Sequence, residues 1–330
     1  MKSILCFCQL AGIQKMKTIL TSIAAASLLA GLAVAQPLPS ADPAAHPPGR
    51  WTRTTARLST DLYAETSPNR MVYVVTNGLQ FGTEDLRSGA FVPIGPGLPP
   101  EDAGVGLVRG PDRSLLTLAF TGDLIGVNPV TGAVSLVGKT GLADCSTPTS
   151  PCGPNSSGFL GRLDGKIYAT DFANNLYSVD PANGATRLIG LTGIPPITGN
   201  PNIPNPDGTF NVFDTNLFSF RGKLYAIFDG FKVDPNTGVA TATIFPGAIY
   251  EIDAKTAKAT WIAPTALGLT SVVTVGDTVY GFDALEGKNG EIVTIDMTSG
   301  EPKPVSPIDQ TIIIAVCGST PAPEALGNDR

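Results

Sequence analysis

The chain has 330 residues, a formal net charge of −6, 15% charged residues and 42% hydrophobic ones. An acidic chain without basic clusters argues against nucleic acid or an anionic membrane as partner, and a single histidine argues against serine triads and histidine-built metal centres. The 37 glycines and 29 prolines supply turns for many short strands, and the length is ample for one sizeable domain.

Residues 1–35 read as a targeting segment. Lys15 and Lys17 precede an apolar stretch over 19–33, and Ala33-Val34-Ala35 is a small-x-small cleavage signal before Gln36. Met16 is the better start. The expected destination is the periplasm or the cell exterior, and no later apolar run approaches the twenty residues of a membrane span. Residues 36–56, rich in Pro and Ala, are expected to be a flexible leader carrying His46, the one histidine.

From residue 57 onward one unit recurs. A strand of β-branched, aromatic and aliphatic residues is predicted at 71–75, 115–119, 166–170, 223–227 and 278–282. In several copies another strand precedes it across a tight turn, at 159–163, 217–220 and 272–275. The clearest copy continues with strands at 175–180 and 185–190 around Asp180-Pro181-Ala182-Asn183-Gly184. That turn has a mechanism: Asp accepts backbone N–H groups, Pro presets φ, and Gly takes the left-handed position. The turn-closing residues fall at 89, 132, 184, 257 and 300, spacings of 43, 52, 73 and 43. Repeats of about 40 to 50 residues with four strands each are the signature of propeller blades. The expected fold is all-β: a single β-propeller of four-stranded blades over 57–317, five blades favoured and six the alternative. Residues 311–317 are expected to close the ring in the first blade, displacing or supplementing a weak strand near 58–64, and 318–330 are expected to be a disordered tail.

Cys145 and Cys152 flank STPTSP, and in an exported chain a disulfide is the expected pairing, a metal or redox pair the alternative. Cys317 reads as a buried apolar residue. The connections from the fourth strand of one blade to the first of the next are long at 95–104, 139–158 and 191–215. The insertion 230–247 leaves the same side of its blade, with a hairpin expected around Asp234-Pro235-Asn236-Thr237-Gly238. Loops of such length in a compact domain are more often functional than idle, so this side is the expected ligand side.

Two sets of side chains point there. Asn77, Asp123, Asp171, Asp229 and Asp283 lie at or near the ends of the recurring second strand. If the repeats superpose, they surround the channel mouth, where Asp171, Asp229 and Asp283 are candidate ligands for calcium. The alternative is that each caps its own loop. Phe210, Phe213, Phe231 and Phe245 in the long loops either line a pocket for a sugar ring or other flat ligand, or pack the insertions onto the body.

The unit Leu176-Tyr177-Ser178-Val179-Asp180-Pro181-Ala182-Asn183-Gly184, echoed at Ile249-Tyr250-Glu251-Ile252-Asp253, resembles the repeats of secreted NHL, TolB-like and quinoprotein-like β-propellers. That resemblance implies a propeller. Its members include lactonases, lyases, quinone-dependent dehydrogenases and plain binding modules. The calcium-dependent lactonases use a Glu, Asn and Asp set that Asn77, Asp171, Asp229 and Asp283 match only loosely. Trp51 and Trp261 are the sole tryptophans, so the tryptophan-docking motif of quinoprotein blades is absent, which counts against a quinone cofactor. Two functions follow: a monomeric binding or interaction module for a small-molecule, carbohydrate or protein ligand, or a divalent-metal-dependent hydrolase or lyase.

Overall fold

The computed structural model describes residues 70–317, apart from 77, 103, 112–113, 145–153, 198–204, 235–239, 267, 284–289 and 309–312. It contains twenty strands and one short 3-10 turn, Pro100–Asp102. The strands form five antiparallel sheets of four, each a blade whose strands are called A to D from the axis outward.

Blade 2 is β4 (Gly104–Arg109), β5 (Leu115–Ala119), β6 (Asp123–Val127) and β7 (Val134–Lys139). Blade 3 is β8 (Ser157–Leu163), β9 (Lys166–Asp171), β10 (Asn175–Val179) and β11 (Thr186–Leu191). Blade 4 is β12 (Phe210–Phe220), β13 (Lys223–Val233), β14 (Ala240–Ile252) and β15 (Ala259–Pro264), and blade 5 is β16 (Leu269–Val275), β17 (Thr278–Asp283), β18 (Glu291–Ile295) and β19 (Pro302–Pro307). In blade 1, β1 (Met71–Thr76), β2 (Phe81–Asp85) and β3 (Phe91–Pro93) take their A strand from the far end of the chain, β20 (Ile313–Cys317). Tyr73 pairs with Cys317 and Val74 with Val316. The A strands touch in the cyclic order β20, β4, β8, β12, β16 and back to β20, so the ring is closed. Five blades and closure by the C-terminal strand are therefore what the repeat spacing led one to expect. The segment near 58–64, the leader, the targeting segment and the tail lie outside the described residues.

The C-to-D turns carry the repeat. Asp85, Asn128, Asp180, Asp253 and Asp296 each accept, at 2.8–2.9 Å, the N–H two residues on. Their carbonyls receive the N–H of Gly89, Gly132, Gly184, Ala257 and Gly300. Those five all have positive φ, from 66° to 79°. The glycines are needed for a second reason. A Cβ on Gly89 or Gly300 would come within 1.8 or 1.7 Å of the carbonyl oxygen of Pro307 or Pro264, at the end of the preceding blade's D strand. Each turn is thus also the contact on which the previous blade rests. In blade 4 the turn carries Ala257 instead, and the facing D-strand residue is Gly190.

Blade 4 differs in length. In the other blades the A–B ladder shifts register near its loop end. The β12–β13 ladder runs without a shift from Phe210–Val233 to Phe220–Lys223. A bulge ends or bends a pairing; without one, β12, β13 and β14 project beyond β15, which pairs only with Ala248 to Ile252. Residues 210–215, expected as loop, are strand, and much of 230–247 is ladder between β13 and β14.

Candidate functional site

Because strands alternate in direction, the B-to-C and D-to-A connections leave each blade at the end opposite its A-to-B and C-to-D turns. On that side lie the long connections, the blade 4 projection and the candidate side chains.

The candidate carboxylates do not share one position. Asp171 and Asp283 stand three residues after the tyrosines Tyr168 and Tyr280 of their B strands, whereas Asp229 stands four after Tyr225. One residue of offset turns a strand side chain to the other face of the sheet. Asp123 begins a C strand, β6, and Asn77 lies outside the described residues.

Each described carboxylate whose contacts are defined serves its own surroundings. Asp171 is fully buried. Its Oδ1 accepts the Asn175 N–H at 2.9 Å, and its Oδ2 accepts Asn175 Nδ2 at 2.8 Å and the Tyr177 hydroxyl at 2.9 Å. Burial raises its pKa, and these hydrogen bonds pull it part of the way back. The same burial, with the carboxylate beside it, pushes Tyr177 up to about 12. Asp229, also fully buried, accepts the Gly268 N–H on Oδ2 at 2.6 Å and so ties β13 to the connection that enters blade 5. Asp283 ends β17, opposite Leu269 and Glu291, and is 8% exposed. Asp123 accepts Lys139 Nζ at 2.9 Å and the Thr121 hydroxyl at 3.2 Å. Among the described residues no three His, Cys, Asp or Glu side chains gather into a group able to hold a metal ion. The donors of Asp171, Asp229 and Asp283 therefore do not fit a shared calcium site. Capping of its own loop, the alternative reading, describes Asp171.

A buried carboxyl whose folded-state pKa exceeds the ordinary 3.8 binds its proton more tightly folded than unfolded. Its contribution is then most favourable below the unfolded value and is lost as pH rises through the folded value. Asp171→Asn keeps the shape, and flipping the Asn175 amide restores the hydrogen bonds. Paired urea unfolding at pH 4 and pH 7 should show wild type losing stability relative to Asp171→Asn on going to pH 7. An equal pH dependence in the two proteins removes Asp171 as a buried, raised carboxyl.

The roots of the long connections are latched by residues that pattern reading missed. After β7, the Thr140 hydroxyl donates to the Gly122 carbonyl at 2.6 Å and accepts the Leu142 N–H. After β11, Thr192 does the same with the Asn174 carbonyl, at 2.6 Å, and the Ile194 N–H. The Asn174 amide in turn donates to the Pro195 carbonyl, and Ile197 N–H reaches the Phe172 carbonyl at 2.7 Å. The signal was the repeated Thr-Gly-Leu and Thr-Gly-Ile after the D strands, at 140 and 192. Each connection is thereby bound to the B-to-C turn of its own blade.

The aromatic side chains pack. Phe213 is fully buried in one cluster with Phe120, Phe159, Phe172, Phe228, Ile194 and Ile197. Phe245 closes over it, its ring centroid 6.1 Å from Phe213 and 5.4 Å from Phe228. Phe231 is 5% exposed, in a smaller cluster with Val212 and Val233. Phe210 is half-buried at the start of β12, opposite Val233. Among the described residues of blades 2 to 4, the aromatics on the loop side thus form one apolar plug drawn from three blades. Cys145 and Cys152 lie outside the described residues.

No protein-family model matches the chain, and no curated protein matches it. Among solved structures it is similar to a catalytically inactive virginiamycin B lyase from Staphylococcus aureus with quinupristin, at 12% identity over 73% of this chain and 72% of that one, TM-score 0.34. It is similar to the PQQ-bound aldose sugar dehydrogenase of Streptomyces coelicolor, at 12% identity over 64% and 82%, TM-score 0.35. It is likewise similar to TolB from Acinetobacter baumannii, at 14% identity over 72% and 53%, TM-score 0.36. TolB-like and quinoprotein propellers are the kinds its repeat resembles, and no single family is assigned. Likeness of this size says nothing about a ligand. Among the described residues no helix is long and apolar enough to cross a membrane.

Proposed function

We propose that the chain is an exported β-propeller, periplasmic or secreted, that binds a partner rather than transforming a substrate, and that the partner is a protein engaged by the long-connection side. The observation that supports this most is the use to which the candidate groups are put. Asp171 and Asp229 are buried and hydrogen-bonded within the blades, and Asp123 is ion-paired. No poised acid, base or metal-binding set is left among them.

The protein partner, rather than a sugar ring, is favoured by the plug. A small flat ligand needs a concave, aromatic-lined site, and here the aromatics are packed against one another. A large surface with a projecting three-stranded element instead suits contact with another macromolecule. The remaining expectations, a signal peptide, the Cys145–Cys152 disulfide and a monomeric state, are part of the same proposal.

Site-specific photo-cross-linking tests the reading. A photoreactive residue at Thr241, exposed on the β14 projection, is expected to give a discrete protein adduct in the chain's native extracytoplasmic fraction. The same group at Ala182, exposed in a C-to-D turn, is expected to give none. Equal labelling from the two positions, or none from either, rejects the loop side as the binding side.

A further inference from the structure

On the opposite side, among the short turns, a cleft of about 260 Å³ opens between the A-to-B turn of blade 4 and the adjoining turns of blade 5. We infer that this cleft binds a free α-amino acid with an apolar side chain, a site separate from the proposed protein-binding side. The buried Phe220, Val279 and Ile295, with Met297, form its apolar floor, and Arg221, Asp277 and Asp296 are the charged groups of its lining, beside Thr278 and Thr298.

Arg221 is the unusual residue. It has φ 47° at the first position of a two-residue hairpin turn, where blade 3 has Asp164 and blade 5 has Gly276. Gly adopts this conformation without strain and Asp tolerates it by local hydrogen bonding, whereas a long side chain has neither advantage. A residue held in a disfavoured conformation points toward a role for its side chain. That side chain is positioned: its guanidinium carbon lies 4.9 Å over the centre of the Phe220 ring.

The charges around it are close but not consumed. Arg221 Nε is 3.8 Å from Asp277 Oδ1, attracted yet beyond hydrogen-bond distance, with the two side chains 70% and 88% exposed. Across the cleft Asp296 is fixed by the N–H groups of Thr298 and Ser299 on its Oδ1, and the same bonds hold its carboxyl below the usual carboxylate range. A planar cationic fork, the anchored carboxylate of Asp296 and the exposed carboxylate of Asp277 thus border one apolar floor. The carboxylate of an amino acid meets the guanidinium, its ammonium meets Asp277 and Asp296, and its side chain covers the floor. A simple carboxylic acid would face two like charges, and a simple amine would face Arg221.

The test is calorimetric titration of the full chain with L-leucine, alongside 4-methylpentanoate, which lacks the ammonium, and isopentylamine, which lacks the carboxylate. L-Leucine is expected to bind, with each analogue at least about tenfold weaker. Arg221→Gly and Asp277→Asn are each expected to weaken L-leucine by about tenfold or more. Arg221→Gly should melt no lower than wild type, because glycine suits the turn, so its loss of binding cannot be ascribed to unfolding. Absence of L-leucine binding at millimolar concentration overturns the inference, as do affinities unchanged by both substitutions or analogues binding as well as the amino acid. The cross-linking at Thr241 is independent of these outcomes.

Discussion

Replacing Gly300 by Ala should lower the unfolding free energy by about 2–5 kcal/mol, one of the two largest effects expected of a single substitution in this chain. Two costs combine. Gly300 has φ 73°, where an L side chain costs roughly 1–2 kcal/mol. The added methyl would also sit 1.7 Å from the Pro264 carbonyl oxygen, a backbone atom in the preceding blade that cannot rotate away, and overpacking of that kind adds roughly 1–3 kcal/mol or more. The control is Gly165→Ala. Gly165 has φ 78° but nothing within 4 Å of the added carbon, so it should show the conformational cost alone, about 1–2 kcal/mol. Urea unfolding of the two variants separates the terms. Equal losses would mean that the turns do not carry the blade-to-blade contact. Ala257 is consistent with that contact: the one turn residue with a methyl faces Gly190, whose missing side chain provides the space.

What the sequence made legible was local. The turn beginning at Asp180 is written in residue types that act over five positions, and the same hydrogen bonds recur from Asp85 to Gly300. The closing strand was legible because Ile313–Cys317 is an apolar run with no other place in the repeat. What required the structure depended on distant neighbours. The A strand of blade 2, Gly104–Arg109, was not expected: the long connection was placed at 95–104 and no strand at 105–109, because glycines at 104 and 106 dilute its pattern. Gly106 is glycine for a reason that lies in another blade: a Cβ there would come within 2.7 Å of the Leu160 backbone nitrogen. The ring of carboxylates failed for a related cause. The strand ends hide a one-residue offset between Asp171 and Asp229, and where Asp171 and Asp283 stand in their strands, blade 2 has Ala119 and blade 4 has Phe228. The hairpin expected around Asp234 to Gly238 agrees with the β13–β14 pairing out to Val233–Ala240, but its continuity with the A–B ladder of blade 4 was hidden, because it depends on a bulge that is missing, and an absent register shift leaves no residue to recognise.

The second large effect concerns the plug. Phe213→Ala should cost about 3–5 kcal/mol of stability, the usual range for emptying a fully buried aromatic position. Phe213 lies on the projecting part of β12, opposite Gly230, whose absent side chain lets the ring lie within 2.8 Å of where a Cβ would be. From there it reaches the cluster built on Phe120 of blade 2 and Phe172 of blade 3. Removing it leaves a cavity between three blades, and the latched connections at Thr140 and Thr192 restrict how far the surroundings can collapse into it. A ligand-lining role makes the opposite prediction. A side chain kept for binding contributes little to the free protein, and its loss should change stability by no more than about 0.5 kcal/mol. Phe210→Ala, at the half-buried outer end of the same strand, should fall between the two limits. A loss below about 1 kcal/mol for Phe213→Ala would show that the aromatics are not holding the projection against the ring. The loop side would then have to be reconsidered as an open mouth for a flat ligand.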